Sequence, residues 1–356
     1  MRPLWAHQVQ AIKAGLALRD LGLFFEMGTG KTRTMIEILR RKYAEKGQLR
    51  KTLILAPVIV CENWKQEFKM YSKVPQGEIV VLTKSGSKRV SEFITAAGED
   101  LSKAKIIVTN YESMQMEDLY KLFMLWNPDI MVCDESQRLK NPDSKRAKAV
   151  MHLADLTQHN YILTGSPILN SAMDSYMQFR VLDRGETFGK NFFAFRNSYF
   201  SDANAGFKSK QAYFPKWEER MDTYDLLQHK IKGKAIRVLK KDCLDLPPLI
   251  RQTITCGLSK EQAKAYREMY NDYITWIDSK KDGPQAVVAQ LAITKALRLQ
   301  QIVTGFVKAE DGTNHRFPCP RLAVLEELLT DINPTAKIIM TTTATIHAAV
   351  VFMLFL

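Results

Sequence analysis

Residues Gly28-Thr29-Gly30-Lys31-Thr32 follow the apolar run "LGLFF" and precede a stretch with helical spacing, "KTRTMIEILRRKYAEK". A strand, a glycine turn and a helix N-terminus in that order aim backbone N–H groups at phosphate oxygens. In such a cradle Lys31 would reach the β- and γ-phosphates, and the Thr32 hydroxyl would ligate Mg2+. The full Gly-x-x-x-x-Gly-Lys-Thr pattern is not met, because Phe25 stands where its first glycine would be. A second chemical pair ends another apolar run, "DIMVCDESQ". There Asp134 is placed to hold Mg2+, directly or through water, and Glu135 to orient and deprotonate an attacking water. An Asp-Glu pair after a strand means little alone, but with the glycine turn it points to nucleotide hydrolysis.

These groups need a frame, and the chain supplies one. From Leu21 to Thr164 short apolar or β-branched runs ("LGLFF", "TLILAP", "EIVVL", "KIIVTN", "DIMVCDE", "NYILTGS") alternate with segments of helical spacing. Strands apolar at almost every position belong to a parallel sheet covered on both faces. The expected fold is therefore α/β and doubly wound, with ligands at the carboxyl ends of the strands. Residues 28–32, 134–135 and 164–167 all fall just past such a run. Beyond Asn170 the texture changes to aromatic-rich helical segments, then to the basic stretch "HKIKGKAIRVLKKD". A strand is expected in "LIRQTITCGLS", followed by helices and the strand "AKIIM".

At 356 residues the chain is long enough for two domains. The 51 Lys and Arg against 38 Asp and Glu favour acidic partners, nucleic acid first. Five scattered cysteines without a Cys-x-x-Cys pair argue against a zinc site or a disulfide framework and suit a reducing compartment. The N-terminus lacks the apolar core of a signal peptide, and the final run "AAVVFMLFL" is too short to span a bilayer as a helix. A cytoplasmic protein without membrane contact is expected. The lysines and arginines at 230, 232, 234, 237, 240 and 241 read as sequence-independent phosphate contacts, or as a solvated helix face.

The ordered motifs resemble those of the Swi/Snf-like ATPases of helicase superfamily 2, relatives of the DEAD/DEAH-box helicases. "EMGTGKT" resembles their motif I, "APVIVCENWKQEF" motif Ia, "DESQRLKNPDSKRAKAV" the Asp-Glu-Ala-His box with its extension, and "LTGSPILNS" motif III. "VTNYES" resembles the segment before motif II, and "RPLWAHQVQAI" carries the His-Gln found upstream of the P-loop. The resemblance implies a RecA-like P-loop domain that binds ATP with Mg2+ through Gly28, Thr29, Gly30, Lys31, Thr32 and Asp134, with Gln8 reading adenine. It implies Glu135 as the catalytic base, Lys31 as the phosphate ligand and Thr32 with Asp134 as the metal site. Thr164, Gly165 and Ser166 would couple phosphate state to lobe movement. Pro57, Thr109, Asn110 and Tyr111 would lie along a duplex-DNA track. Trp64, on an amphipathic helix, reads as core packing.

The implied organisation is a first lobe over 1–170, a helical, basic inter-lobe insertion over 171–248 and the start of a second lobe over 249–356. Three departures from the family are mild: Phe25 replaces an acidic residue, Ser136-Gln137 replace Ala-His, and Ser166 replaces Thr. A larger one is that nothing resembles the family's last motif, whose arginines stabilise charge on the transferring phosphoryl group. That leads to the expectation of a second lobe incomplete through truncation or a change of frame, with turnover slow or absent in the chain alone. A non-catalytic module that binds ATP and DNA is the alternative.

Overall fold

Five-residue runs that are apolar at almost every position have little polar face to give to solvent, and the fold buries them on both sides. The computed structural model describes all residues except 1–2, 48, 167–170, 206–214, 244–252, 280–284, 309–312, 331–336, 342–349 and 355–356. The chain divides into two units, Met1–Pro247 and Pro248–Leu356. The first runs α1 (Ala6–Ala17), β1 (Leu21–Phe25), α2 (Lys31–Lys46), β2 (Thr52–Ala56), α3 (Val58–Tyr71), β3 (Ile79–Val81), α4 (Ser87–Ala97), β4 (Ile106–Asn110) and α5 (Glu117–Trp126). It continues with β5 (Ile130–Asp134), α6 (Lys145–Leu156), β6 (His159–Leu163), α7 (Ser175–Asp183), α8 (Phe192–Tyr199), β7 (Phe200–Asp202) and β8 (Trp217–Glu219), then α9 (Thr223–Ile231), β9 (Ala235–Val238) and α10 (Lys240–Cys243).

A seven-stranded sheet is ordered β3-β4-β2-β5-β6-β1-β9, and every pairing in it is parallel. Successive strand residues face opposite sides, and the two cores follow that alternation. Phe24, Leu53, Ile107, Met131 and Ile162 join one core with Phe93, Phe123, Trp126 and Phe179. Leu23, Phe25, Ile54, Val132 and Leu163 join the other with Ile12 of α1, Met35 and Ile36 of α2, and Trp64 and Phe68 of α3. The chain is thus the α/β doubly wound domain that its all-apolar runs predict. Asp134 shares its parity with Ile130 and Val132, so its side chain lies on the α2–α3 side.

The strand β9 was not expected. It lies inside the basic stretch, where Ala235, Ile236 and Val238 supply enough apolar surface for an edge position and Arg237 stays exposed. It pairs with β1 from Gly22↔Ala235 to Phe25↔Val238. The basic residues are therefore not one face. Lys234 sits at the strand's start, where its ammonium pairs with Glu186 at 2.8 Å. Lys240 emerges at the opposite end, and its backbone N–H donates to the Glu26 carboxylate beside the glycine turn.

The second unit contains α11 (Lys260–Ser279), α12 (Gln285–Val303), β10 (Phe306–Lys308), β11 (Asn314–Arg316), α13 (Pro320–Thr330), β12 (Lys337–Thr341) and β13 (Val350–Leu354). Buried Gln262 fastens α11 to α12, its amide donating to Ile302 O at 2.9 Å. Of the run expected as a strand, residues 249–252 lie outside the described residues. Residues 253–259 are neither helix nor strand. The run "AKIIM" does form a strand, β12, which pairs antiparallel with β13. Among the described residues no helix is long and apolar enough to cross a membrane.

Candidate nucleotide site

At the carboxyl end of β1 the chain turns through Gly28 and Gly30, whose φ values of 82° and 83° lie in the left-handed region. Side chains other than glycine's strain there. Gly30 has a second constraint, since a Cβ on it would lie 2.2 Å from Gln8 Nε2. Gln8 and its neighbour His7, both on α1, prop the turn. Gln8 Oε1 accepts from Trp5 N at 2.9 Å, Gln8 Nε2 faces Gly30 O at 3.4 Å, and His7 Nε2 lies 2.9 Å from Thr29 O. Gln8, expected to read adenine, is thus nearly buried and holds the loop's backbone. One N–H of its amide is not used in those contacts.

Thr29 offers the turn its backbone N–H, the group by which such a cradle meets phosphate. Its side chain is wholly buried and its hydroxyl donates to Glu26 O at 2.7 Å, so it shapes the turn. Lys31 opens α2 and donates to Phe25 O at 2.9 Å, folding its ammonium over the end of β1. Phe25 belongs to the core, where an acidic residue would be buried without solvent. Thr32 follows on the first turn, half-buried.

Three neighbouring side chains hold the acidic pair: Trp64, Tyr111 and Gln137. Asp134 is 4% exposed. Trp64 Nε1 donates to its Oδ2 at 2.9 Å, and the backbone N–H of Glu135 donates to its Oδ1 at 3.0 Å. Tyr111 donates its hydroxyl to the carbonyl of Asp134 at 2.7 Å. Burial pushes the Asp134 carboxyl up to about 6, against the opposing pull of the Trp64 hydrogen bond; the charge of Glu135 adds to the rise and Lys31 works against it. Glu67, one turn beyond Trp64, is also raised by burial, with Arg33 opposing and Asp134 contributing. Glu135 thus raises Asp134 and Asp134 raises Glu67, while Lys31 and Arg33 act against them.

Glu135 itself sits at φ 50°, ψ 54°, an uncommon conformation for a residue with a side chain. Gln137 Nε2 donates to Glu135 Oε2 at 2.8 Å, and Thr164 donates its hydroxyl to Gln137 Oε1 at 2.7 Å. The Thr164 hydroxyl also accepts from Ser166 N at 3.0 Å. One unbroken chain thus joins the end of β5 to the end of β6, with Gln137 working at both ends. Gly165 packs against the end of β1, where a Cβ would meet Phe25 O at 3.4 Å. Ser136 is tied to α7 through Gln178 Oε1 at 2.7 Å. Pro167 and Asn170 lie outside the described residues.

The side chains of Thr109, Asn110 and Tyr111 do not line a surface track. Thr109 and Tyr111 are fully buried, Thr109 against Ser113 and Tyr111 under Asp134. Asn110 accepts from Ser113 N at 3.1 Å, capping the short 3-10 turn after β4, and from Arg89 at 2.9 Å. The reason is the sheet: these residues end a central strand, where inward positions are taken by core and capping duties. Pro57 is half-buried, and the exposed groups nearby are Val58, Ile59, Lys84 and Lys88.

Among the described residues no cluster of three or more His, Cys, Asp or Glu side chains could hold a metal ion. Mg2+ takes hard oxygen donors and usually keeps one or two carboxylates plus substrate phosphates and water. The Thr32 hydroxyl and the Asp134 carboxylate are such donors, so the residues fit the ion.

Residues 13–305 match the SNF2-related domain family. The putative protein p41 of Acyrthosiphon pisum secondary endosymbiont phage 1 is 23% identical over 84% of this chain and 63% of its own length. The TATA-binding protein-associated factor MOT1 of Saccharomyces cerevisiae is 26% identical over 85% of this chain, which spans 16% of that protein. The Sulfolobus solfataricus SWI2/SNF2 ATPase core, solved in complex with dsDNA, superposes with a TM-score of 0.53 at 22% identity, covering 93% of this chain and 65% of that one. This chain therefore spans less than two thirds of each of these proteins, and the structural likeness speaks for the fold. Because the family match runs through the phosphate turn and the acidic pair alike, the chain belongs to the SNF2-related domain family, within helicase superfamily 2.

Proposed function

We propose that the chain hydrolyses ATP as the core of a duplex-DNA-stimulated motor, a helicase-like translocase or remodeller. The observation that carries this reading is the continuous hydrogen-bonded chain Glu135–Gln137–Thr164, beside Asp134 and across β6 from the glycine turn of β1. Gly28, Gly30 and the first turn of α2 receive the phosphates, and Lys31 leaves Phe25 O to reach them. Glu135 orients the attacking water and takes its proton, while Gln137 fixes the carboxylate that does so. Thr32 and Asp134 would hold Mg2+, which supplies charge neutralisation at the phosphate oxygens. Thr164, Gly165 and Ser166 feel the state of the phosphate through Gln137 and pass it to the segment beyond.

Duplex DNA would run over the carboxyl ends of β2, β3 and β4, where Pro57, Val58, Lys84 and Lys88 are accessible and Thr109, Asn110 and Tyr111 give support from beneath. Its contacts would be to phosphates, so affinity would be indifferent to base sequence and fall with salt.

The test is ATP hydrolysis by the purified chain with and without duplex DNA, at low and moderate salt, beside Lys31→Ala. DNA-stimulated turnover that disappears in the variant supports the motor. Nucleotide binding that depends on Lys31 with no phosphate release at any DNA concentration would instead mark a binding module. No Lys31-dependent binding at all would overturn both.

A further inference from the structure

A buried carboxylate that is to meet a cation has to present the right edge, and burial alone does not choose one. Around Asp134 the choice is made by two donors, one for each oxygen. The backbone N–H of Glu135 fixes Oδ1 through the left-handed turn at that residue. Trp64, fully buried on α3, fixes Oδ2 at 2.9 Å. With both oxygens engaged, the carboxylate plane cannot rotate, yet each oxygen keeps a lone pair.

An indole suits this task for chemical reasons. Its N–H donates only, so it cannot ligate the ion. It also does not titrate. The ring is wedged in the α2–α3 core beside Phe68, at 6.1 Å between ring centroids, so its N–H has little freedom to turn away. A second tryptophan provides the contrast. Trp126 is equally buried in the core on the other side of the sheet, and among the described residues its Nε1 has no hydrogen-bond partner. Burial in this protein does not of itself give an indole N–H a partner, so the pairing of Trp64 with Asp134 is a placed contact.

We propose that Trp64 is the positioning residue of the metal site: it aims the Asp134 carboxylate at the Mg2+ that accompanies the nucleotide. This rests on the reading of Asp134 as a metal ligand. Trp64 does not touch nucleotide or ion, so its loss should act on the metal-dependent part of binding alone.

The experiment measures the affinity of the intact chain for a fluorescent ATP analogue, in EDTA and across a Mg2+ titration, for wild type, Trp64→Phe and Trp126→Phe. Phenylalanine keeps most of the packing and deletes the N–H. The Mg2+ concentration at half-effect should rise about tenfold in Trp64→Phe, the loss of one hydrogen bond to a charged group. The affinity in EDTA should stay put, and Trp126→Phe should leave the Mg2+ midpoint where it was. An unmoved midpoint in Trp64→Phe, or an equal shift in Trp126→Phe, overturns the proposal. A wild type whose affinity ignores Mg2+ removes the reading of Asp134 as well. Should Trp64→Phe not fold, the wild type labelled with 15N at its indoles decides: Mg2+-nucleotide must move the Trp64 Nε1–H resonance and leave that of Trp126, and immobility of the former overturns the assignment.

Discussion

Replacing Thr164 by Val removes one hydroxyl and almost no volume, and a β-branched side chain stays β-branched at a fully buried site. What goes is the donor to Gln137 Oε1 at 2.7 Å and the acceptor for Ser166 N at 3.0 Å. Ser166 is exposed, so water can take up its N–H; Gln137 is half-buried and recovers less. An unsatisfied buried partner costs about 1–3 kcal/mol, and partial rehydration places this case at about 1–2. For a unit of this size that is a fall of about 3–6 °C in Tm. The larger consequence is for catalysis, because Gln137 then has nothing to brace the end that holds Glu135 at 2.8 Å. If the bracing has the worth of one neutral hydrogen bond, kcat falls by about tenfold with KM little changed.

The decisive assay is a double-mutant cycle with Gln137→Ala, read in both Tm and kcat. Thr164 and Gln137 share a bond, so the two substitutions should couple by about 1 kcal/mol, with Thr164→Val costing less once Gln137 is gone. Additivity to within about 0.3–0.5 kcal/mol would refute the chain from β5 to β6 as a working connection. Equal effects on kcat and on binding of nucleotide in EDTA would refute it too, since general loosening, rather than aim at Glu135, would then be the cause.

Gly30→Ala combines a positive φ with a Cβ 2.2 Å from Gln8 Nε2; it should lower stability by about 1–2 kcal/mol from the backbone alone and abolish nucleotide binding, seen by titration calorimetry. The Asp134 carboxyl, pushed up to about 6, gives a pH prediction. Its folded value lies above its ordinary one, so the native state holds that proton more tightly, and the group's contribution to stability falls as pH rises from about 4 to 6. The Mg2+-dependent part of nucleotide affinity runs the other way: at low Mg2+ it should be half lost near pH 6, and the midpoint should move lower as Mg2+ is raised. Arg184→Met removes the 2.8 Å partner of buried Asp20 and leaves it the Asn160 N–H at 2.7 Å and Arg19 at 3.7 Å; the loss of one hydrogen bond to a charged group should cost about 1.5–3 kcal/mol by chemical denaturation.

The main sheet was legible because its strands have no polar face to hide. "LGLFF", "TLILA" and "IMVCD" can be satisfied only between two layers of helices, and the alternation of the two cores follows from parity along each run. The phosphate turn was legible for a similar reason, since Gly28 before Gly30-Lys31-Thr32 at a strand end leaves few other uses. β9 escaped because an edge strand needs only half a hydrophobic face. Ile236 and Val238 between lysines and arginines look like a charged helix until β1 is known to have a vacant edge.

The site's supports were harder to see, and the reason lies in how side chains serve twice. Trp64 looked like core and is core, yet its ring edge carries a donor whose direction depends on the crossing of α3 over β5, which periodicity does not encode. Tyr111 looked like a surface aromatic at a strand end; its hydroxyl finds Asp134 O because β4 and β5 flank β2 in space although they are neighbours in sequence. Gln137 could be recognised as a substitute for histidine, but that it would donate to Glu135 and accept from Thr164 at once required both partners' positions. A carboxamide has a donor at one end and an acceptor at the other and keeps both at every pH. A histidine bridging the same two groups would need one ring nitrogen protonated and the other not, and would change with pH. In this chain Gln137 should therefore add no pH dependence of its own to the link between β5 and β6, and Gln137→His should introduce a further pH dependence in kcat without moving the one in Mg2+ affinity.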